Sequence, residues 1–274
     1  MNRRYLRHIG ASVKNPGQVA HAQPVTWVRA EDITGLNDGD QVSSWPDKAP
    51  AYSRNFTQAT SGIQPDYHTS AGAQSPNGMP YVDFVGANAD RLLADSGLGA
   101  FRKVSAATLF VVVRLNGSGT AVITRWKMTG STSSDVRIAL GISGGAIQDK
   151  GAAIDGTSGN TTLTAPAQWS NIGASARTQR WWCFIARRRF TDGWWDTWIN
   201  GVLVVTGRAP TAAGSLGITS DTDSSEATIA GSATEVLDGQ VAEIAGWNKY
   251  LPRRSIQGLW KYARCRYNIA GVAV

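Results

Sequence analysis

Trp27-Val-Arg-Ala-Glu-Asp-Ile-Thr-Gly-Leu-Asn-Asp-Gly-Asp-Gln-Val-Ser-Ser-Trp-Pro-Asp-Lys48 places two short apolar runs, each carrying a tryptophan, on either side of a turn-rich insert. Gly35, Asn37, Asp38, Gly39 and Asp40 supply the left-handed and side-chain-bonded conformations that tight turns require. Short strand, tight turn, short strand is the grammar of a β-sandwich. The stretch itself carries no catalytic pattern.

The same grammar continues outward. Val25 to Arg29, Val42 to Trp45, Pro80 to Phe84, Thr108 to Leu115, Ala121 to Trp126, Val136 to Ile142 and Trp181 to Phe190 are β-branched or aromatic runs bounded by Gly, Ser, Asn or Pro. Between Trp195 and Val205, Asn200-Gly201 separates two apolar runs and predicts a two-residue hairpin with positive φ at both turn residues. Asp238 to Trp247 predicts a final strand, with Val241, Glu243, Ala245 and Trp247 on one face and Ala242, Ile244 and Gly246 on the other. Pro252 then opens a short amphipathic helix through Ile256, Leu259, Trp260 and Ala263, expected to cover one end of the sandwich. Ser143 to Ser175 reads as long loops with weak strands. The fold class is therefore all-β: a two-layer antiparallel sandwich of residues 25–274, closed by a C-terminal helix and preceded by an extended, basic N-terminal arm of residues 1–24.

Composition narrows the class. The 274 residues fit one large sandwich, and the longest apolar run, Ala106 to Val113, suits a buried strand and is too short to span a membrane as a helix. Arg3, Arg4 and Arg7 resemble the start of a signal peptide, but Ser12, Lys14, Asn15 and Gln18 interrupt the apolar core that must follow, so classical secretion is not expected. The net charge of +7 gathers at Arg3, Arg4 and Arg7, at Arg187 to Arg189, and at Arg253, Arg254, Lys261, Arg264 and Arg266. Strand alternation sends Arg187 and Arg189 to one face and Arg188 to the other, which spreads the charge, and no nucleic-acid motif accompanies it. Neither a nucleic acid nor a membrane is an expected partner. Cys183 and Cys265 have no metal-ligand spacing and read as buried free thiols, a disulfide between a strand and the C-terminal helix remaining open.

With the elements placed, the chain resembles the concanavalin A-like lectin and glucanase superfamily, in particular the laminin-G-like jelly-roll domains of phage virion proteins and bacterial surface proteins. The resemblance is carried by Trp27 to Asp32 with Gly35-Leu36, Val42 to Asp47, Gln58-Ala59-Thr60, Gln64 to Tyr67, Gly78 to Gly86, Asn200-Gly201 and Val241 to Lys249. It implies a jelly roll in which Phe84, Trp247 and Tyr67 fill the core between sheets. No block is specific for an activity.

Sugar-cleaving members of the superfamily imply paired carboxylates on one strand. The glutamates Glu31, Glu226, Glu235 and Glu243 form no such pattern, so hydrolysis is not expected. Asp221-Thr-Asp-Ser-Ser-Glu226 offers alternate oxygens but lacks the glycine and further ligands of a calcium loop; it reads as a solvated turn, as does Asp38-Gly-Asp40. His8, His21 and His68 are scattered, and no serine has a nucleophile-elbow context. No metal or cofactor is expected.

The candidate ligand surface is an exposed tryptophan platform. Trp194, Trp195 and Trp198 lie on one strand and Trp181 on another, and alternation must turn some of these rings outward to stack on sugars or on a neighbouring subunit. Arg3, Arg4, Tyr5, Leu6, Arg7 and Ile9 are the candidate attachment residues of the arm. The resemblance, the arm and the missing secretion signal together imply a non-enzymatic bacteriophage virion protein. It would be a capsid decoration or a tail or fibre component on the virion surface, present as homo-oligomer or lattice-bound copies, with other virion proteins as partners and host glycans as further ligands. A carbohydrate-binding module of a bacterial surface protein stands second and a polysaccharide-active enzyme third.

Overall fold

The computed structural model describes residues 15–18, 22–49, 55–71, 74–94, 105–116, 121–128, 136–143, 146–152, 160–164, 180–189, 192–208, 225–232 and 235–271. Its strands in chain order are β1 (Thr26–Arg29), β2 (Ser44–Trp45), β3 (Phe56–Thr57), β4 (Asp66–His68), β5 (Tyr81–Phe84), β6 (Leu92–Ala94), β7 (Ala106–Leu115), β8 (Ala121–Met128) and β9 (Val136–Ser143). There follow β10 (Ala146–Ala152), β11 (Asn160–Thr164), β12 (Trp181–Arg189), β13 (Trp194–Ile199), β14 (Val202–Arg208), β15 (Ser225–Ile229), β16 (Gly231–Ser232), β17 (Glu235–Val236) and β18 (Gly239–Trp247), and then helix α1 (Arg253–Tyr267).

Two antiparallel sheets form the sandwich. One runs β14-β13-β12-β7-β18-β5-β4, with β1 extending the edge beside β5 by pairing with the second half of β18; the other runs β11-β10-β9-β8-β15-β6-β3-β2. Between them lies a core that includes Val28, Trp45, Phe56, Phe84, Val111, Trp182, Phe184 and Ile244. Full burial of a side chain of this kind contributes roughly 1.5–3 kcal/mol.

The predicted strands are present, with ends shifted by a residue or two. Asn200 and Gly201 both take positive φ, 46° and 82°, as the hairpin prediction requires. A side chain at Gly201 would also meet Trp260, since a Cβ there would lie 2.4 Å from the indole nitrogen. Gly35 and Gly39 have φ of 81° and 84°, and the Asp40 carboxylate accepts the Asn37 amide at 2.6 Å, so turn chemistry accounts for the insert. The insert also closes the opening stretch on itself: the Trp27 amide donates to Asp47 at 2.7 Å, and the Lys48 amide donates to the Trp27 carbonyl at 2.8 Å.

Three expectations are corrected. First, α1 does not cap an end of the sandwich; it lies on the outer face of the first sheet, packing Ile256, Leu259, Tyr262, Ala263 and Tyr267 with Phe110, Val112, Cys183, Ile185, Trp198, Ala245 and Trp247. Trp247 therefore belongs to this second core, whereas Phe84 and Tyr67 fill the first as expected. Being buried on both faces, β7 is apolar almost throughout and does not alternate. Second, β18 does not alternate uniformly: a bulge at Ala242 pairs Val241 with Val113 but Glu243 with Val112. Val241 and Ile244 both reach the inter-sheet core, and Gln240 and Glu243, three residues apart, share the outer face. Third, both cysteines are free, but only Cys183 is buried; Cys265 is exposed on α1. The weak strands expected between Ser143 and Ser175 are present as β10 and β11.

Glu243 is fully buried where β1, β18 and α1 meet. Its carboxylate accepts the Trp27 indole at 2.6 Å, the Tyr262 hydroxyl at 2.9 Å and the Tyr267 hydroxyl at 2.6 Å. Burial pushes this carboxyl above its ordinary value, and the three donors and the nearby Arg266 charge pull it back. Around it Arg29 pairs with Glu31 and Asp32, Lys48 with Asp32, and Arg266 with Glu31, while Arg29 and Lys48 flank the Trp27 ring. Further along, Thr108 donates to the Lys249 carbonyl at 2.7 Å and accepts the Leu251 amide at 3.2 Å, fixing the chain that leads into α1.

Glu243→Ala leaves three buried donors without an acceptor and should destabilise the protein by about 3–5 kcal/mol. Tyr267→Phe, which removes one donor, should cost about 1–2 kcal/mol. Urea titrations of the two variants measure both; an unchanged midpoint for Glu243→Ala would contradict the role given to this carboxylate.

Candidate functional site

Strand geometry decides where the tryptophans go. Along β12, Trp182, Phe184 and Ala186 enter the inter-sheet core, while Cys183 and Ile185 face α1 with Trp181 packed beside them. Arg187 and Arg189 continue the outer face and Arg188 the inner one, as alternation predicted. On β13, Trp195 opposes Arg188 and is buried beneath its guanidinium, and Trp198, though on the outer face, is buried in the core under α1. Of the three only Trp194 is part-exposed, so the expected platform of exposed rings is not formed.

The four rings do not make one platform. Trp181 begins β12 and Trp194 pairs with Arg189 at its far end, roughly 26 Å along the strand. Trp181 belongs to a cross-strand row on the outer face, Asp66–Asp83–Gln240–Arg114–Trp181, set by direct register across five strands. Gln74 lies over this row: its carbonyl accepts the Trp181 indole at 2.8 Å, and its side-chain oxygen accepts Arg114 at 2.9 Å and Gln240 at 2.6 Å. Trp181 also meets Tyr81 edge-on, and Tyr81 stacks on His68. Asp66 and Asp83 stand opposite each other in this row, and burial raises the Asp83 carboxyl above its ordinary value. The Asp83 Oδ1 atom is buried without a hydrogen-bond partner, although the residue as a whole is half-buried.

At the other end of the outer face a second cluster gathers around Asp196. Its Oδ2 accepts the Arg187 Nε at 2.9 Å and Nη2 at 2.8 Å, together with the Tyr250 hydroxyl; its Oδ1 accepts Thr206 at 2.6 Å and the Trp194 indole at 3.2 Å. Arg187 is held further by the Leu251 carbonyl at 2.6 Å and stands between Tyr250 and Trp198, 4.0 and 4.8 Å from their centroids. Arg189 lies 5.3 Å from the Tyr250 ring and pairs in a fork with Asp192 at 2.8 and 2.6 Å. The cluster is graded in depth: the Asp196 side chain is 4% exposed and that of Arg187 13%, against 43% for Arg189. Trp194 and Tyr250 are half-buried and Thr206 is exposed.

Burial raises the Asp196 carboxyl, but hydrogen bonds from Thr206 and Tyr250 and the Arg187 charge outweigh it, and the net position is below the ordinary value. Tyr250 is pushed up by burial and by its bond to Asp196. Asp196 therefore stays ionised and saturated, neither giving nor taking a proton near neutrality. The arrangement presents two fixed aromatic rings beside a guanidinium–carboxylate fork, which can stack on an apolar ring face and hydrogen-bond its substituents.

Trp194 is the sequence-predicted residue that this cluster uses most directly. Tyr250, Asp196 and Thr206 were not read from sequence. An acid inside the aromatic run Trp194-Trp-Asp-Thr-Trp198 is the signal for Asp196, once β12 is paired with β13 to bring Arg187 opposite; Tyr250 had no local signal. Arg3, Arg4, Tyr5, Leu6, Arg7 and Ile9 lie outside the described residues, as do Asp221, Thr222, Asp223 and Ser224. Among the described residues no group of three or more His, Cys, Asp or Glu side chains is placed to hold a metal ion.

No protein-family model and no curated protein sequence matches the chain. Its fold is similar to the binding domain of Paraclostridial Mosquitocidal Protein 1, at 11% identity and a TM-score of 0.56 over 88% of this chain and 52% of that one. It is similar also to the botulinum neurotoxin serotype D ligand-binding domain solved with N-acetylneuraminic acid (11% identity, TM-score 0.54, 89% and 52%). A third similar structure is the Trypanosoma rangeli sialidase solved with the inhibitor DANA (13% identity, TM-score 0.53, 93% and 34%). The chain spans about half the length of the two binding domains and a third of the sialidase. The fold is thus an all-β jelly-roll sandwich with a C-terminal helix.

The depressed Asp196 carboxyl contributes stability that is present at neutral pH and is lost as pH falls through 3.8 toward the folded value, because the unfolded chain then binds the extra proton. Asp196→Asn should therefore lower the thermal midpoint at pH 7 and flatten its decline between about pH 5 and about pH 2. Parallel acid limbs for the two proteins would show that Asp196 does not carry this linkage.

Proposed function

We propose that the chain is a non-enzymatic recognition domain that binds surface saccharides through the Trp194–Tyr250–Arg189 face. The observation that carries this is the Asp196 clamp: one ionised carboxylate fixes Arg187, Thr206, the Trp194 indole and the Tyr250 hydroxyl while leaving both rings half-exposed. Rigid aromatic rings beside charged hydrogen-bonding groups suit a sugar, which offers an apolar face and polar edges. The neighbours are consistent with the reading: two are named as binding domains, one of them solved with N-acetylneuraminic acid. What supports a non-enzymatic role is that Asp196 is saturated by Arg187, Thr206, Trp194 and Tyr250 and has no free proton site to offer.

The finer reading is display on a bacteriophage virion, as a capsid decoration or a tail or fibre component, with the basic segment containing Arg3, Arg4, Tyr5, Leu6, Arg7 and Ile9 as the attachment to other virion proteins. It rests on the sequence blocks of the jelly roll and on the composition of that segment. Replacing Arg3, Arg4 and Arg7 by Gln and Tyr5, Leu6 and Ile9 by Ser in the full chain should abolish co-sedimentation with particles and leave saccharide retention intact; unchanged co-sedimentation removes this reading.

Trp194→Ala should weaken retention on the glycans that the wild type selects from an array by roughly tenfold or more. Unchanged retention would move the binding surface elsewhere. Release of reducing sugar from any of those glycans would instead establish the sialidase-like alternative.

A further inference from the structure

Helix α1 buries one face completely and leaves the other unusually uniform. Its solvent side carries Arg253, Arg254, Gln257, Lys261, Arg264 and Cys265, and the helix contains no aspartate or glutamate. Arg266 turns away to Glu31, while among the described residues none of Arg253, Arg254, Lys261 and Arg264 has an acidic partner. Two of the four stand in the first turn, where the positive end of the helix dipole disfavours cations, and the N-terminal residue Pro252 supplies no side-chain cap. Folding does not explain this placement. Four cations without an acidic partner among the described residues, along about 16 Å of helix, make a linear positive strip.

The strip starts just after the chain leaves the proposed saccharide face. Tyr250, whose hydroxyl donates to Asp196, lies three residues before Arg253, and the Leu251 carbonyl between them is held by Arg187. Other anionic partners fit less well. A membrane-surface helix needs its apolar face free, but here Ile256, Leu259, Tyr262, Ala263 and Tyr267 are committed to the sheet. Single-stranded nucleic acid needs stacking rings along its track, and the one tryptophan of α1, Trp260, is packed on Gly201.

We propose that the solvent face of α1 is a docking strip for an acidic polysaccharide, which runs from the Trp194–Tyr250–Arg189 face along Arg253, Arg254, Lys261 and Arg264. The inference rests on the saccharide reading of that face and names its ligand class, a polymer bearing regularly spaced carboxylates or other fixed anions. Arginine forks suit such groups, and an array of them gains from a polymer that engages several at once.

The test measures binding of the full chain to immobilised polygalacturonate, with a neutral galactan as control, for three proteins. These are the wild type, the variant R253Q/R254Q/K261Q/R264Q, and R3Q/R4Q/R7Q/K14Q, which removes the same formal charge from the N-terminal segment. The helix variant should bind polygalacturonate at least roughly tenfold more weakly at low salt, with the difference shrinking as ionic strength rises, and its thermal midpoint should hold or increase. The N-terminal variant should stay within about twofold of the wild type. Should the fourfold variant fold poorly, K261Q/R264Q, confined to the later turns, should still lose roughly threefold. Equal losses for the helix and N-terminal variants would reduce the effect to net charge and overturn the strip. So would equally tight, helix-dependent retention of duplex DNA or of phosphatidylserine vesicles. Retention of neutral glycans through Trp194 without any binding of polygalacturonate would overturn the strip and leave the saccharide face standing, whereas failure to retain any glycan would remove both.

Discussion

A carboxylate with no access to water holds this molecule together. Glu243 is buried where β18, β1 and α1 meet, and stripping a charged group of its hydration is costly unless every lone pair finds a donor. Here the donors come from opposite ends of the chain: Trp27 from β1, and Tyr262 and Tyr267 from α1. The bulge at Ala242 makes the arrangement possible, because without the extra residue Glu243 would point into the inter-sheet core. The helix thus has one orientation on the sheet that satisfies both its apolar face and the tyrosine hydroxyls.

That orientation propagates to the candidate site. To reach α1 the chain leaves β18 at Trp247 and crosses the outer face, pinned by Thr108 to the Lys249 carbonyl and the Leu251 amide. The crossing delivers the Tyr250 hydroxyl to Asp196 and the Leu251 carbonyl to Arg187. The two clusters are linked by a covering helix, and a sheet buried on both faces is rigid enough to hold Trp194 and Tyr250 in fixed relation. The Trp247 indole, donating to the Ala22 carbonyl at 3.0 Å, ties the segment before β1 into the same layer.

Much of this was legible in the sequence because it follows from local rules. Asn200-Gly201 demanded positive φ twice and has it; Ala106 to Val113 read as a buried strand and is one; Arg187, Arg188 and Arg189 divided between faces as alternation requires. What escaped depends on register and tertiary choice. The bulge at Ala242 has no composition signature, so strict alternation placed Val241 and Glu243 on one face where the structure separates them, and Trp247 lies in the second core rather than the first. The two- and three-residue strands β2, β3, β4 and β6 are too short to show a period. Trp194 was visible as a candidate, but its partners Asp196, Arg187, Thr206 and Tyr250 come together only through pairing across β12, β13 and β14 and through the crossing before α1.

Amide hydrogen exchange of the unmodified protein tests the central constraint most directly. If the Glu243 carboxylate fastens α1 to β18, amides in the middle of α1, from Ile256 to Ala263, should open only with those of β18 and β7, sharing their high protection and the same response to added denaturant. Exchange of α1 near the rate of an unstructured chain, while β18 and β7 remain protected, would contradict the account.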